Sequence, residues 1–389
     1  MTGSRNGRLS VAIVFPVLPP ALDGIGDHTA QLARALSPHA DVRVITARAQ
    51  PALDPIPGVE VDPAFGMERR REVAELVQAV EENEPDWLLL QFNQFSYGRW
   101  GLNPFLPRAL QEVRRRCPRV RIAWFAHEDF VPPTSARFMV MRTWQRAQFR
   151  ALGRASDLVL FTIAPWAERY RPWFPGATVT HLPVGSNVPD AGLPYEVARE
   201  RLGIPSSTLV VGIFGTLGVP KPMQYLRQAA EAVVRERDAV VLYVGPHGLV
   251  LRAALPDVPL IDAGALPALA VSEHLAAMDI HLTPFIDGVS TRRGSFMAGL
   301  QHGVPTVTTL GVHSDDLLRR ATGSAFAATA HGDAGAYAAR AAALAGDPEA
   351  RATMGSAARR LYDDEFAFDR GSARLMDMLS SFDAHELIA

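Results

Sequence analysis

Lysine is almost missing from this chain: of 39 Lys plus Arg residues, only Lys221 is a lysine. Heavy arginine use is what GC-rich coding produces and requires no function, so the surviving lysine is the residue to locate. Cysteine is equally scarce. Cys117 stands alone, which excludes an internal disulfide and fits a reducing compartment. No stretch approaches the roughly 18 consecutive apolar residues of a membrane-spanning helix. A formal net charge of −2 offers no global attraction to nucleic acid. The start, MTGSRNGRLSVAIVFPVLPP, places basic residues before an apolar run, as an export signal does. That run is short, ends in prolines and lacks a small-x-small cleavage site, so it predicts a first β-strand over 9–15. The expected location is cytoplasmic, with the inner membrane face left open.

What is present is ordinary for a soluble enzyme: 48% hydrophobic and 21% charged residues over 389 positions, enough for about two or three domains. Short β-branched runs alternate with amphipathic segments rich in Ala, Leu and Arg, the pattern of βα units around parallel sheets. Strands are predicted near 9–15, 41–46, 86–91, 121–126, 157–162 and 178–182, with helices such as 26–37, 68–82 and 135–154 between them. The strands are continuously apolar, as in sheets covered on both faces. A Pro/Gly-punctuated stretch at 181–194 interrupts the alternation, which restarts at 208–218, 239–245, 259–264, 279–285 and 305–311. The expected class is α/β, with two Rossmann-like domains whose parallel sheets face a cleft. The first domain is expected over 1–185, the second over 205–365, with a terminal helix of about 366–389 crossing back to the first.

Ligands of such sheets bind beyond the carboxyl ends of the strands, and four predicted loops there carry unusual residues. After the first strand, Gly24, Ile25 and Gly26 precede a helix, allowing a tight turn and close backbone approach; a simple turn explains a Gly pair as well. In GIFGTLGVPKP, Gly215 and Gly218 leave room for a ligand and Lys221 offers a point charge for phosphate. In TPFIDGVSTRRGSF, Asp287-Gly288 turns the chain, Ser290 and Thr291 supply hydroxyls, and Arg292-Arg293 stand before a helix N-terminus able to face a diphosphate. In WFAHEDF, His127 sits between a strand and two acids, where it can orient a hydroxyl or move a proton. No His-Glu-x-x-His or Asp-x-Asp pattern indicates a metal site, and no Gly-x-Ser-x-Gly elbow is present.

Together these residues resemble the family 4 retaining glycosyltransferases of the GT-B fold, over nearly the whole chain. The resemblance matches Gly24, Ile25 and Gly26 to the loop facing donor and acceptor, and His127 to the histidine that contacts the transferred sugar. FGTLGVPKP falls on the diphosphate loop, with Lys221 at its lysine. HGVPTVT falls on the family's Gly-x-Pro-Val-Val segment, and Leu266 in DAGALP lies where the base is flanked. Two positions depart from the pattern. Thr216 replaces the diphosphate arginine, and the paired glutamates are absent: Asp287 is nearest to the first and Ala298 stands at the second.

The resemblance implies a hexosyltransferase-type enzyme of glycan biosynthesis. It would move a sugar from a nucleotide-diphosphate donor, a co-substrate, to a sugar, glycan or lipid-linked acceptor with retention and no required metal or other cofactor. Lys221, Arg292 and Arg293 would stabilise the leaving group, His127 would orient the sugar, and Asp287 would hold its hydroxyls. At the exit of the strand at 86–91, Gln91, Asn93, Gln94, Tyr97 and Trp100 form a mix suited to a sugar or aromatic acceptor. Arg142, Arg146, Arg150 and Arg154 recur at i+4 on one predicted helix face, which raises peripheral membrane contact beside a simple solvated face. The alternatives are a non-catalytic nucleotide-sugar-binding subunit and a GT-B epimerase or phosphorylase.

Overall fold

The computed structural model describes residues 8–49, 53–66, 70–218 and 221–386. The chain divides into two compact units, Met1–Pro183 with Phe368–Ala389 and Val184–Ala367. The first unit contains β1 (Ser10–Val14), α1 (Gly24–Leu36), β2 (Asp41–Ala47), β3 (Val59–Phe65), α2 (Arg70–Asn83) and β4 (Trp87–Phe92). It continues with α3 (Phe105–Arg116), β5 (Arg121–Ala126), α4 (Ala136–Arg154), β6 (Leu158–Phe161), α5 (Ala164–Tyr170) and β7 (Thr178–His181). Its seven strands run in the order β3-β2-β1-β4-β5-β6-β7, and every pairing is parallel.

The continuous apolar runs of these strands follow from that topology. Ala12 and Val14 of β1, Leu88 and Leu90 of β4, and Ile122 and Trp124 of β5 face one core. Their alternates Val11, Ile13, Trp87, Leu89, Ala123 and Phe125 face the opposite one. With successive side chains on opposite faces and helices on both, every position of β4 is buried, and in β1 and β5 only the first residue, Ser10 and Arg121, is partly exposed.

The second unit holds α6 (Tyr195–Arg201), β8 (Leu209–Phe214), α7 (Met223–Glu236), β9 (Ala239–Val244), α8 (Gly248–Ala254), β10 (Leu260–Asp262) and α9 (Ala268–Ala276). After them come β11 (Ile280–Thr283), α10 (Gly294–Gln301), β12 (Thr306–Leu310), α11 (Asp316–Ala321), β13 (Ala327–Ala330), α12 (Ala334–Gly346) and α13 (Pro348–Glu365). Its strand order is β10-β9-β8-β11-β12-β13, again parallel throughout. In both sheets the order reverses beside the first strand of the unit, the switch point at which doubly wound sheets open a crevice. The last helix, α14 (Phe368–Glu386), belongs to the first unit, where Leu375 and Leu379 are fully buried in the core with Leu32 and Leu36 of α1.

Two strands escape the sequence pattern, β3 and β13. Both are sheet edges. β3, VEVDPAF, carries Pro63, which cannot donate to a ladder, and its exposed positions dilute the apolar signal. β13 reads AATA, with no β-branched run to distinguish it from the alanine-rich helix that follows.

Candidate functional site

In the second unit the predicted phosphate residues converge on one end of the sheet. β8 ends at Phe214 and the backbone turns through Gly215 at φ 93°, a left-handed conformation that glycine adopts without penalty. Gly215 N donates to Val244 O at 2.9 Å. Tyr243 Oη donates to Gly215 O at 3.0 Å and accepts from His247 N at 3.0 Å. His247 Nδ1 accepts from Leu217 N at 3.0 Å. The exit from β9 therefore fixes the glycine loop, and Thr216 is left exposed at its crest. Val219 and Pro220 of the same loop lie outside the described residues.

Lys221 returns from this loop into the protein. It is 4% exposed, and its Nζ donates to Phe214 O. Burial, reinforced by the nearby Arg293 charge, lowers its pKa from the ordinary lysine value to about 7. A methyl group on Gly215 would lie 3.5 Å from Lys221 Nζ and 3.6 Å from the Cβ of Ser295, in the first turn of α10. The glycine loop, the lysine and the start of α10 thus border one another. No side chain caps α10, and the dipole of a helix start favours an anion.

The loop between β11 and α10 is held at almost every residue. Thr309 Oγ1 on β12 accepts from Phe285 N at 2.8 Å and donates to Phe285 O at 2.6 Å. Thr291 gives its N–H and its hydroxyl to Asp315 Oδ2, each at 2.9 Å. Gly288, at φ 85°, packs so closely that an added Cβ would stand 2.1 Å from Gly311 N. Ser290 is fully buried, and its hydroxyl has no hydrogen-bond partner among the described residues.

Asp287 is the electrostatic centre of this loop. Arg292 donates to its Oδ2 at 2.9 Å, Arg293 donates to both oxygens at 2.5 and 2.7 Å, and His313 Nδ1 stands 2.8 Å from Oδ2. Burial alone would raise the pKa of the carboxyl. The His313 hydrogen bond and the Arg293 and Arg292 charges outweigh it and hold the group far below the usual carboxylate range. Sequence reasoning assigns the arginines to diphosphate and the aspartate to sugar; the structure ties all three to one another, with His313 as a fourth member. Arg293 also lies over Phe285, 4.6 Å from the ring centre. Leu266 is half-buried and packs against the core that contains Val244 and Val271.

In the first unit, Asp23 caps α1 by accepting from Ile25 N and Gly26 N at 2.9 Å each. Gly24 and Gly26 therefore open the helix itself instead of forming a free loop. Gly26 also has a packing reason, since an added Cβ would approach Val17 O to 2.5 Å. Ile25 packs against the core, and Gly24 is exposed. Asp27, half-buried beside Asp23, has its carboxyl pKa raised to about 6 by burial first and by Asp23 second.

His127 follows β5 and is buried, stacked on Phe125 at 4.6 Å and edge-on to His28 at 5.0 Å. Its Nε2 lies 2.5 Å from Gln91 Oε1 at the end of β4. With the amide oxygen facing the ring, Nε2 carries the proton and Nδ1 is the free base of the neutral imidazole. Burial, with His28 adding to it, depresses the His127 pKa well below normal. His28 itself is lowered to about 3 by burial. The pair is thus neutral at physiological pH.

The residues predicted to meet an acceptor separate into two kinds. Tyr97 is buried, with its hydroxyl 2.8 Å from Gln91 O and 3.1 Å from Val14 O, so it braces strand ends. Asn93 accepts from Phe95 N at 2.8 Å, which shapes the turn after β4. Gln94 is buried with neither side-chain polar atom partnered among the described residues, whereas Trp100 is half-exposed.

No protein-family model and no curated protein matches the sequence. Solved structures do match. Sucrose-phosphate synthase from Thermosynechococcus elongatus superposes with a TM-score of 0.74 at 16% identity, covering 97% of this chain and 100% of its own. The fold is that of the GT-B glycosyltransferases. WaaG, a glycosyltransferase involved in lipopolysaccharide biosynthesis, gives a TM-score of 0.65 at 16% identity over 95% of this chain and 99% of its own. Anabaena HepE, solved in complex with UDP and glucose, gives 0.68 at 16% identity over 96% and 100%. His28, Tyr243, His247 and His313 are the site residues that sequence reasoning left unassigned, whereas Gln91, read there as an acceptor contact, is engaged by His127. Each of the four reaches its partner across the fold, His28 from α1 and the others from strand ends and the loops beyond them, which a linear motif does not display.

Proposed function

We propose that this protein is a glycosyltransferase that takes a sugar from a nucleotide-diphosphate donor. The observation that carries this reading is the junction of Gly215, Lys221 and the start of α10 in the second unit. A fold shared with glycosyltransferases, among them one solved with UDP and glucose, supports it. Donor diphosphate oxygens set at this junction would meet backbone N–H groups, the helix dipole and the lysine ammonium.

In the proposed reaction the bond from the sugar anomeric carbon to the diphosphate oxygen breaks and a bond to an acceptor hydroxyl oxygen forms. The acceptor proton leaves with the nucleoside diphosphate, which is basic enough to take it. Lys221, with Arg293 and Arg292 freed in part from Asp287, stabilises the negative charge that develops on the leaving group. Ser290, whose buried hydroxyl is unpartnered, is assigned to the donor together with Gly288 and the backbone of Thr291. Asp287 is assigned to the sugar hydroxyls. In the first unit, neutral His127 presents one ring nitrogen to the sugar while Gln91 fixes the other. Gln94 and Trp100 are assigned to the acceptor, and retention of configuration and a hexosyl group complete the reading. The scheme uses no metal, so a chelator should leave turnover unchanged.

The test is a donor screen. Thermal shift and slow hydrolysis are measured with UDP-, GDP-, ADP- and TDP-sugars on the wild type and on Lys221→Ala. A donor that stabilises the protein, is hydrolysed, and loses both effects in the variant supports transfer and names the base and sugar. Binding without turnover, even with glycan or lipid-linked acceptors added, points to a nucleotide-sugar-binding subunit. Epimerised donor points to an epimerase. If no nucleotide sugar binds, the phosphate assignment of Lys221 fails.

A further inference from the structure

Two segments of the first unit, 91–111 and 130–156, contain seven arginines and no Asp or Glu. The fold brings them together: Trp144 Nε1 and Gln145 Nε2 on α4 both donate to Trp100 O at 3.2 Å. At this junction Phe95, Trp100, Leu102, Met139 and Val140 are all exposed, between 45% and 58%. Trp100 adopts φ 59°, a left-handed conformation that is strained for a bulky residue. Its indole is held half in solvent with the Arg99 guanidinium 5.0 Å and the Arg137 guanidinium 5.7 Å from the ring centre.

Farther along α4, Arg142 and Arg146 lie against Phe130, and Arg146 and Arg150 against Trp173. The arginine row expected on one solvated face is therefore partly folded onto aromatic rings. The exposed apolar side chains collect at the start of the helix instead. Among the described residues, none of Arg99, Arg137, Arg142, Arg146 and Arg150 pairs with a carboxylate. Guanidiniums without counter-ions around exposed aromatic and aliphatic side chains match an interface that supplies phosphates at the surface and hydrocarbon just beneath it.

We propose that this face of the first unit docks on a bilayer surface carrying anionic lipid. Trp100, Met139 and Val140 enter the headgroup region, and Arg99 and Arg137 pair with lipid phosphates. A second copy of the chain fits less well, because a two-fold contact through this face would set arginine against arginine. The inference deepens the transferase reading, on which only its consequence rests. The loop that carries Trp100 begins at Asn93 and Gln94, so docking would present a lipid-linked acceptor to the residues assigned to it.

The experiment is co-sedimentation of the full chain with vesicles of phosphatidylcholine alone and of phosphatidylcholine mixed with phosphatidylglycerol. It compares the wild type, Arg137→Ser and the double variant Met139→Glu/Val140→Glu, with melting temperature and donor thermal shift measured on the same samples. Expected are binding to the mixed vesicles only, release by salt, and loss of about tenfold or more in each variant. Melting and donor response should be unchanged. Wild type that ignores anionic vesicles, or variants that bind as well as wild type, would overturn the proposal. So would a wild-type dimer that these substitutions dissolve, with no vesicle binding. Vesicle binding without any donor response would leave docking standing and sink the transferase reading alone.

Discussion

Lys221 combines two properties that pull against each other. It is the residue best placed for a phosphate, and its burial brings its pKa down to about 7. Holding the ammonium in the free protein is therefore costly above that pH, while a diphosphate beside it would restore the charge. The sign follows from linkage. Above about pH 7 the free site lacks the proton and the ligand-bound site holds it, so binding takes up a proton. We expect nucleoside diphosphate affinity to weaken as pH rises from 7 toward 9, by up to about tenfold per unit. Calorimetry at pH 8 in buffers of different ionisation enthalpy should show uptake approaching one proton, absent in Lys221→Met. Equal affinity at pH 7 and 9 would mean that the lysine does not face the phosphates. This residue was legible in the sequence because it stands alone of its kind in a glycine-rich strand exit. Its depressed basicity was not, since that depends first on burial in the fold and second on Arg293, which the sequence places seventy-two positions away.

At the scale of elements, the central strands and their helices were legible because burial on both faces leaves an unmistakable apolar run. β3 and β13 were not, although the other two edge strands, β7 and β10, were: β3 is a half-exposed run broken by Pro63, and β13 is a bare AATA. The loop before α10 shows a different limit. Its composition announced a charged site, yet the pairing of Asp287 with His313 depends on two neighbouring strands placing their exits side by side. Gly288 and Gly311 make that contact possible. In Gly288→Ala, positive φ and a Cβ 2.1 Å from Gly311 N combine, whereas Gly215→Ala meets only the φ penalty, its nearest neighbour being 3.5 Å away. Gly215→Ala should cost about 1 kcal/mol and lower the melting temperature by about 2–4 °C. Gly288→Ala should lower it at least twice as far. Circular-dichroism melts of the two variants decide this, and equal shifts would show that the Gly288–Gly311 contact relaxes around an added methyl group.

For the whole molecule, the consequential feature is that the chain's last helix completes its first unit. Leu375 and Leu379 are fully buried beside α1, and Phe382 sits edge-on to Trp87 at 5.1 Å. Each buried leucine is worth roughly 1.5–3 kcal/mol, so losing two of them alone removes a large part of the roughly 5–15 kcal/mol that keeps a domain folded. The second unit has cores of its own, to which α14 contributes no buried residue among the described residues. Deleting 368–389 should therefore unfold the first unit selectively. A calorimetric scan of the truncated chain should retain one transition and lose another, and limited proteolysis should spare a fragment spanning about 184–367. Because the proposed phosphate site lies entirely within that fragment, nucleoside diphosphate should still raise its melting temperature while all sugar transfer is lost. If the truncated chain bound no nucleotide although its second unit remained folded, the diphosphate contacts would have to come from the first unit, and the assignment of Lys221 would fall with them.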